Sequence, residues 1–197
     1  MDATPPDGAR KKIKLALQGG GSHGAFTWGV LDRLLDDGRL EIEAVVGTSA
    51  GAMNAAVLVE GLARGGPQAA KQRLAAFWNG IAAVAATSPM QPSPIDRMFG
   101  LGSMDFSPSW RVVDALNKMF SPYELNPTNQ NPLRDLLEAT VDFELLRGGN
   151  APALFVCATN VLNGRLRVFA RNEIGPAAVM ASASSNQPRD GMALTGG

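Results

Sequence analysis

Residues 47–51 read Gly-Thr-Ser-Ala-Gly, and their types and spacing point to nucleophilic chemistry. The pattern G-x-S-x-G is typical of a serine on a sharp turn between a strand and a helix, where its hydroxyl is exposed for attack on an acyl carbon. An apolar run, residues 42–46, precedes the turn, and a helix-like run, residues 50–64, follows it. We therefore interpret Ser49 as a candidate nucleophile. Gly47, Ala50 and Gly51 are the small neighbours that let strand and helix approach closely.

A glycine-rich loop at residues 18–24, with the sequence QGGGSHG, supplies the second motif. It lies between an apolar run, residues 13–17, and a helix-like run, residues 25–37. Successive glycines at a helix N-terminus present backbone N–H groups to an anion. Opposite a serine nucleophile, such donors stabilise the oxyanion of the transition state. The loop predicts Gly19, Gly20 and Gly21 as an oxyanion hole, with His23 and Gly24 beside the site.

The same loop also fits a dinucleotide-binding fingerprint. Gly19, Gly21 and Gly24 spell G-x-G-x-x-G in a strand–turn–helix context. That interpretation requires an acidic residue at the end of the next strand, to bind a ribose hydroxyl. Glu41 and Glu43 instead lie at the beginning of that strand. A nucleotide-binding enzyme is therefore the weaker alternative.

Together the two motifs resemble those of the patatin-like phospholipase family, most closely over residues 12–59 and more weakly over 153–184. The family places a glycine-rich oxyanion loop before G-x-S-x-G, separated by a helix and a strand. The resemblance implies hydrolysis of a lipid or acyl ester by a serine–aspartate dyad, with no cofactor and transient contact with a membrane surface. Ser49 matches the nucleophile and residues 19–21 match the loop, whereas His23 stands where the family usually has Arg or Lys. The string at residues 177–184 is similar to the helix that precedes the family's aspartate.

The end of the chain departs from the family pattern. The family aspartate lies in a D-G-[GA] motif, but here Asp190-Gly191 is followed by Met192. Asp190 is our candidate dyad partner of Ser49. A plain surface turn is an alternative, because Pro-Arg-Asp-Gly is ordinary turn chemistry. A shifted reading frame is a third interpretation. A family member without its aspartate would be a catalytically impaired lipid-binding or interaction protein.

Composition restricts the classes of function. The 18 Lys and Arg residues balance the 18 Asp and Glu residues, so bulk charge does not favour nucleic acid as a partner. His23 is the single histidine and Cys157 the single cysteine, which excludes a multi-histidine metal centre and a disulfide framework. His23 is also the single histidine available to a Ser-His-Asp triad, although its position suits a donor better than a base. We expect Cys157 to be buried. The polar residues 1–12 lack the apolar stretch of a signal peptide, so we expect a cytoplasmic protein. With one histidine and one cysteine, we expect no metal site.

The order of the elements predicts an α/β fold, a three-layer α/β/α sandwich with a mainly parallel central sheet, in which both motifs lie at the carboxyl ends of strands. We expect one domain over residues 1–197, with a flexible N-terminus (1–12), a lid-like insertion (87–132) and an atypical tail (185–197). Further helices are predicted over residues 68–86, 110–120 and 131–138. The helix after the glycine loop should present one apolar face, formed by Phe26, Val30, Leu31, Leu34 and Leu35. An Asn163-Gly164 turn predicts a hairpin between strands at 154–159 and 165–170.

Overall fold

The computed structural model of the chain describes residues 10–87, 132–148, 151–160 and 163–183. The chain divides into two compact units, residues 1–78 with 134–197, and residues 79–133. The sheet and both sequence motifs belong to the first unit. Of the second unit, the structure describes helical residues 79–87 and 132–133. The predicted helix at 110–120 and the tail from 185 lie outside the described residues, as does nearly all of the predicted insertion, and the single-domain prediction stays a prediction.

In the described residues, four strands form one sheet in the order β1-β2-β3-β4. β1 (Lys11–Leu17), β2 (Leu40–Thr48) and β3 (Ala153–Thr159) are parallel, and β4 (Leu166–Phe169) is antiparallel to β3. The chain therefore has the predicted α/β fold with a mainly parallel sheet. β1 ends at the glycine loop and β2 at Ser49, so both motifs lie at the same edge of the sheet.

One face of this sheet carries the core. Leu17 pairs with Gly47, and Gly47 with Val156, which in turn pairs with Phe169. Leu17, Val156 and Phe169 are all buried. On the opposite face of β3 and β4, Phe155 and Val168 are exposed and Cys157 is half-buried. The prediction of a buried Cys157 is therefore wrong. Successive side chains of a strand point to opposite faces, and that of Cys157 lies on the less covered face of β3.

Helix α1 (Gly24–Leu35) follows a single 3₁₀ turn, Gly21–His23, at the end of the glycine loop. Leu31 and Leu35 are buried, as the periodicity predicts. Phe26 and Val30, which we placed on the same apolar face, are 78% and 44% exposed. The buried side of α1 is centred on Gly24, Leu31 and Leu35, and residues 26 and 30, one helical turn apart, lie away from it.

The α2 segment (Ala50–Thr87) consists of the two predicted helices, separated by a sharp kink. Gly65 and Gly66 are non-helical there, and Gly66 has φ 70°, which favours glycine. Pro67 follows and starts the second half. Gly61 lies so close to Ala70 that a Cβ on Gly61 would overlap the backbone of Ala70, so the two halves pack back on each other. The first half is buried on all sides from residue 50 to residue 61.

Three shorter helices complete the described chain. They are α3 (Pro132–Thr140), α4 (Phe143–Arg147) and α5 (Pro176–Ala183). Asp142 caps α4, because its carboxylate accepts hydrogen bonds from the amides of Glu144 and Leu145 at 3.1 Å each. The predicted hairpin between β3 and β4 is confirmed, and Gly164 has a positive φ of 68°, which favours glycine. After β4, the chain returns through a 3₁₀ turn, Arg171–Glu173, so that α5 packs on β3.

Candidate active site

Ser49 occupies a strained turn between β2 and α2. Its φ is 55°, and it is the single non-glycine residue with positive φ in the part of the chain that the structure describes. This conformation costs an ordinary residue about 1–3 kcal/mol and persists when the surroundings fix it. Glycines make the turn sterically feasible. A Cβ on Gly47 would overlap the carbonyl of Gly51, and a Cβ on Gly51 would overlap the carbonyl of Leu17.

The glycine loop lies directly against this serine. A Cβ on Gly19 would stand 2.8 Å from the Cβ of Ser49 and 3.5 Å from its Oγ. Gly20 and Gly21 have φ values of 147° and 57°, which other residues rarely adopt. Within the described ranges, the amides of Gly19 and Gly20 donate no hydrogen bond. The structure therefore brings the two sequence motifs together and leaves loop donors beside Ser49.

The N-terminus of α2 adds donors from the other side of Ser49. The carbonyl of Ser49 accepts the amides of Ala52 and Met53 at 2.8 and 3.2 Å. Ala50 and Gly51 precede these residues, and helix geometry gives their amides no intrahelical acceptor. The helix dipole places partial positive charge at this end. Loop amides and helix amides can thus face an oxyanion that forms on an acyl group attacked by the Ser49 hydroxyl.

The His23 side chain contacts the backbone of the glycine loop. Its ring Nδ1 lies 3.0 Å from the carbonyl oxygen of Gly20, and its backbone amide donates to the same oxygen at 3.1 Å. The side chain is exposed. An Nδ1–H tautomer therefore closes the turn that carries Gly20 and Gly21.

A buried amide connects the loop to the helix of the turn. Asn54 is fully buried, and its Nδ2 donates to the carbonyl of Gly24 at 2.9 Å. Its Oδ1 accepts the indole N–H of Trp78 at 2.9 Å. Gly24 is needed beneath the loop, because a Cβ there would lie 2.9 Å from the Trp78 ring and 3.0 Å from Ala50 Cβ. Asn54 was not among our candidates, although one amide in the otherwise apolar run at 50–59 is a signal for a buried hydrogen-bonded residue.

A second unpredicted residue contacts Ser49 itself. The hydroxyl of Ser182, near the end of α5, accepts the backbone N–H of Ser49 at 2.7 Å. It donates to the carbonyl of Cys157 at 2.6 Å. The sequence placed Ser182 on a helix but gave no reason to distinguish it from neighbouring serines.

The general base is the part of the predicted site that the described residues do not supply. Among them, no side chain hydrogen-bonds the Ser49 hydroxyl. Asp190, the predicted partner, lies outside the described residues. The pKa of Asp37 is lowered to about 2, chiefly because the Arg39 side chain donates hydrogen bonds to it. Asp37 precedes β2, at the opposite end of the strand from Ser49, so this charge belongs to the turn between α1 and β2.

Comparison with known proteins identifies the family of this chain. A sequence model of the patatin-like phospholipase family matches residues 15–185. The chain belongs to the patatin-like phospholipase family, whose members are generally lipid acyl hydrolases. The match includes the glycine loop, Ser49 and Ser182, and ends before Asp190.

A solved structure and a search of curated proteins complete the comparison. The chain is similar to one in the heterodimeric complex ExoU–SpcU from the type III secretion system of Pseudomonas aeruginosa. The identity is 21% and the TM-score 0.45, with 94% of this chain and 38% of that chain covered. This chain thus spans well under half the length of that one. No curated protein gave a significant match. In the described helices, none is long and apolar enough to cross a membrane.

Proposed function

We propose that this chain hydrolyses carboxylic esters of lipids through Ser49. The observation that carries this proposal is the left-handed turn at Ser49 with the glycine loop packed against it. The hydroxyl attacks the acyl carbon, and the carbonyl oxygen becomes an oxyanion facing the amides of residues 19–21 and Ala50. The alcohol leaves, and water then releases the acyl group from Ser49.

Asp190 is the proposed base of this reaction. It accepts the hydroxyl proton during attack and returns it to the leaving alcohol, as in a two-residue dyad. His23 is less suited to that task, because its ring already contacts the Gly20 carbonyl. The family match, however, ends before Asp190. This observation favours a second candidate, an impaired family member that binds a lipid without cleaving it.

Lipid access is proposed to occur over α1. Phe26 and Val30 are exposed one helical turn apart, directly after the glycine loop. Arg33 is also exposed one turn further on. Aromatic and aliphatic side chains beside a cation suit transient contact with an anionic lipid surface. This contact would bring substrate to the edge of the sheet that carries Ser49.

Ester turnover by wild type and Ser49→Ala tests the proposed function. We expect the variant to keep its fold and lose at least about a thousandfold in kcat on a water-soluble short-chain ester, because nucleophile removal has effects of this size. Circular dichroism and thermal melting establish the fold of each sample. Equal turnover by both proteins would contradict the assignment of Ser49. An inactive but folded wild type that binds lipid would support the second candidate.

A further inference from the structure

The hydroxyl of Ser182 makes two hydrogen bonds, one to the turn that carries Ser49 and one to β3. Its oxygen accepts the Ser49 amide at 2.7 Å, and its proton goes to the Cys157 carbonyl at 2.6 Å. Each is a short, direct bond between a side chain and the backbone. One hydroxyl thus connects α5, β3 and the turn that carries Ser49.

The bridge lies where the ladder between β2 and β3 ends. Thr48 is the last residue of β2 and pairs with Cys157. At Ser49 the chain leaves the strand direction to enter α2, with φ 55°. The hydroxyl of Ser182 fills the space between the amide of Ser49 and the carbonyl of Cys157. The amide of Ser49 and the carbonyl of Cys157 therefore both remain hydrogen-bonded where the chain changes direction.

The same bridge restricts which amides can serve as oxyanion donors. The Ser49 amide is already committed to Ser182, so it is not available to substrate. The remaining donors are the loop amides and the amides of Ala50 and Gly51, and the Ala50 amide belongs to the peptide on the other side of Ser49. The orientation of that peptide depends on the left-handed backbone of Ser49. The hydrogen bond from the Ser49 amide to Ser182 fixes the peptide before Ser49. It thereby helps to hold the position of the Ser49 Oγ and the orientation of the Ala50 amide.

We propose that Ser182 is a positioning residue for the nucleophile, and that its hydroxyl holds the Ser49 turn in its reactive conformation. Ser182 acts through the backbone of Ser49 and does not contact substrate. The proposal rests on the proposed function of Ser49. It assigns to α5 a task in the reaction beyond packing on β3.

The test compares Ser182→Ala with Ser182→Thr, which keeps a hydroxyl at the same position. Kinetics are measured with p-nitrophenyl butyrate well below the melting temperature of every variant. We expect Ser182→Ala to lower kcat about 10- to 100-fold with KM changed less than about twofold, since a small displacement of a reacting group has effects of this size. Labelling of Ser49 by a fluorophosphonate should slow by a similar factor. Ser182→Thr should recover most of both rates.

A second measurement reports on the backbone without requiring turnover. Hydrogen exchange of the Ser49 amide, followed by NMR, should be about tenfold or more faster in Ser182→Ala than in wild type and Ser182→Thr. Wild-type kcat, labelling and exchange in Ser182→Ala would overturn the proposal. Equal losses in the alanine and threonine variants would also overturn it, because the hydroxyl would then not be the relevant group. If wild type is inactive, the proposed function fails, and exchange alone decides whether Ser182 holds the turn.

Discussion

Ser49 depends on its neighbours for two properties, its conformation and its reactivity. Its conformation is set by glycines at 47 and 51, which permit a close strand–helix approach, and by Ser182, which binds its amide. Its reactivity is proposed to come from donors on the loop and on α2, and from Asp190 as base. The glycine and serine pattern predicted the residues that permit the turn. Ser182 was beyond such prediction, since its role depends on where α5 packs.

Gly19 provides a residue-scale test of the loop. In Gly19→Ala, the new methyl would meet Ser49 Cβ at 2.8 Å and the Thr48 carbonyl at 3.0 Å. We expect kcat to fall about 100-fold or more, comparable to loss of an oxyanion donor. Esterase kinetics and thermal melting check this result. Gly29→Ala is the matched control, because its Cβ would meet nothing within 4 Å and should leave kcat unchanged. Wild-type kcat in Gly19→Ala would show that the loop does not position the reaction.

At the same scale, substitution of Asp190 should lower kcat far more than substitution of His23. If Asp190 acts with Ser49 as a unit, Asp190→Asn should lose about as much kcat as Ser49→Ala, and the double variant should lose little more. His23→Ala removes a contact to the Gly20 carbonyl and should cost far less. The kcat values of all four variants on one soluble ester check this pattern. A large loss in His23→Ala with none in Asp190→Asn would instead favour a serine–histidine arrangement.

At the scale of elements, polar contacts within α2 connect its two halves to each other and to the start of α1. Asn54 in the first half binds Trp78 in the second, and Gly24 at the start of α1. Glu60 is fully buried and pairs with Arg64 at 2.6 Å and with Arg73 at 3.0 Å. Arg73 also donates to the Thr140 carbonyl, so this cluster connects both halves of α2 to α3. The polar groups buried in α2 therefore fix how its two halves pack.

Removing Arg73 should destabilise this arrangement. In Arg73→Ala, the buried Glu60 carboxylate keeps Arg64 alone, and loss of one partner of a buried ion pair costs about 3–5 kcal/mol. Because the Arg73 side chain is 31% exposed, we expect the lower end, about 3 kcal/mol, in urea unfolding. Arg39→Ala is the control, since its pair with Asp37 is exposed and surface ion pairs contribute little to stability. Equal stability of the two variants would show that the Glu60 cluster contributes no more than a surface pair.

The elements themselves were largely predictable, and the errors have physical causes. Short apolar runs bounded by glycine and asparagine turns predicted β1, β2 and the hairpin. Local chemistry is enough to specify these elements. The two predicted helices of α2 are confirmed together with the break between them, because Gly65 and Gly66 are non-helical and Pro67 follows. The periodicity of α1 identified Leu31 and Leu35 but also included Phe26 and Val30. Periodicity reports an apolar stripe, whereas burial depends on how the helix packs.

At the scale of the whole molecule, the proposed function requires lipid to reach the carboxyl edge of the sheet. Phe26, 78% exposed beside the glycine loop, is the side chain best placed for contact with a lipid surface. Ser49 and the oxyanion donors should act equally on a soluble ester without that contact. Surface binding and chemistry are therefore separable by choice of substrate.

Phe26→Ser should weaken binding to a lipid surface and leave the chemical step unchanged. We expect unchanged kcat on a soluble short-chain ester, together with about 30-fold weaker binding to anionic phospholipid vesicles and slower hydrolysis of ester presented in them, because about 2 kcal/mol of apolar transfer is lost. Vesicle sedimentation and paired assays measure this difference. Leu166→Ser, at a leucine 65% exposed on the edge strand β4, is the control and should bind as wild type. Equal vesicle binding by Phe26→Ser and wild type would rule out α1 as the contact surface.

The most direct measurement of the central claim is site-mapped labelling of the intact chain with a fluorophosphonate. The probe reacts with an activated serine hydroxyl, and mass spectrometry of the digested protein locates the adduct. We predict one adduct, on Ser49, formed rapidly in wild type, absent from Ser49→Ala and much slower in Gly19→Ala. An unlabelled Ser49 in folded wild type, or an adduct that persists in Ser49→Ala, would contradict the assignment of Ser49 as the nucleophile.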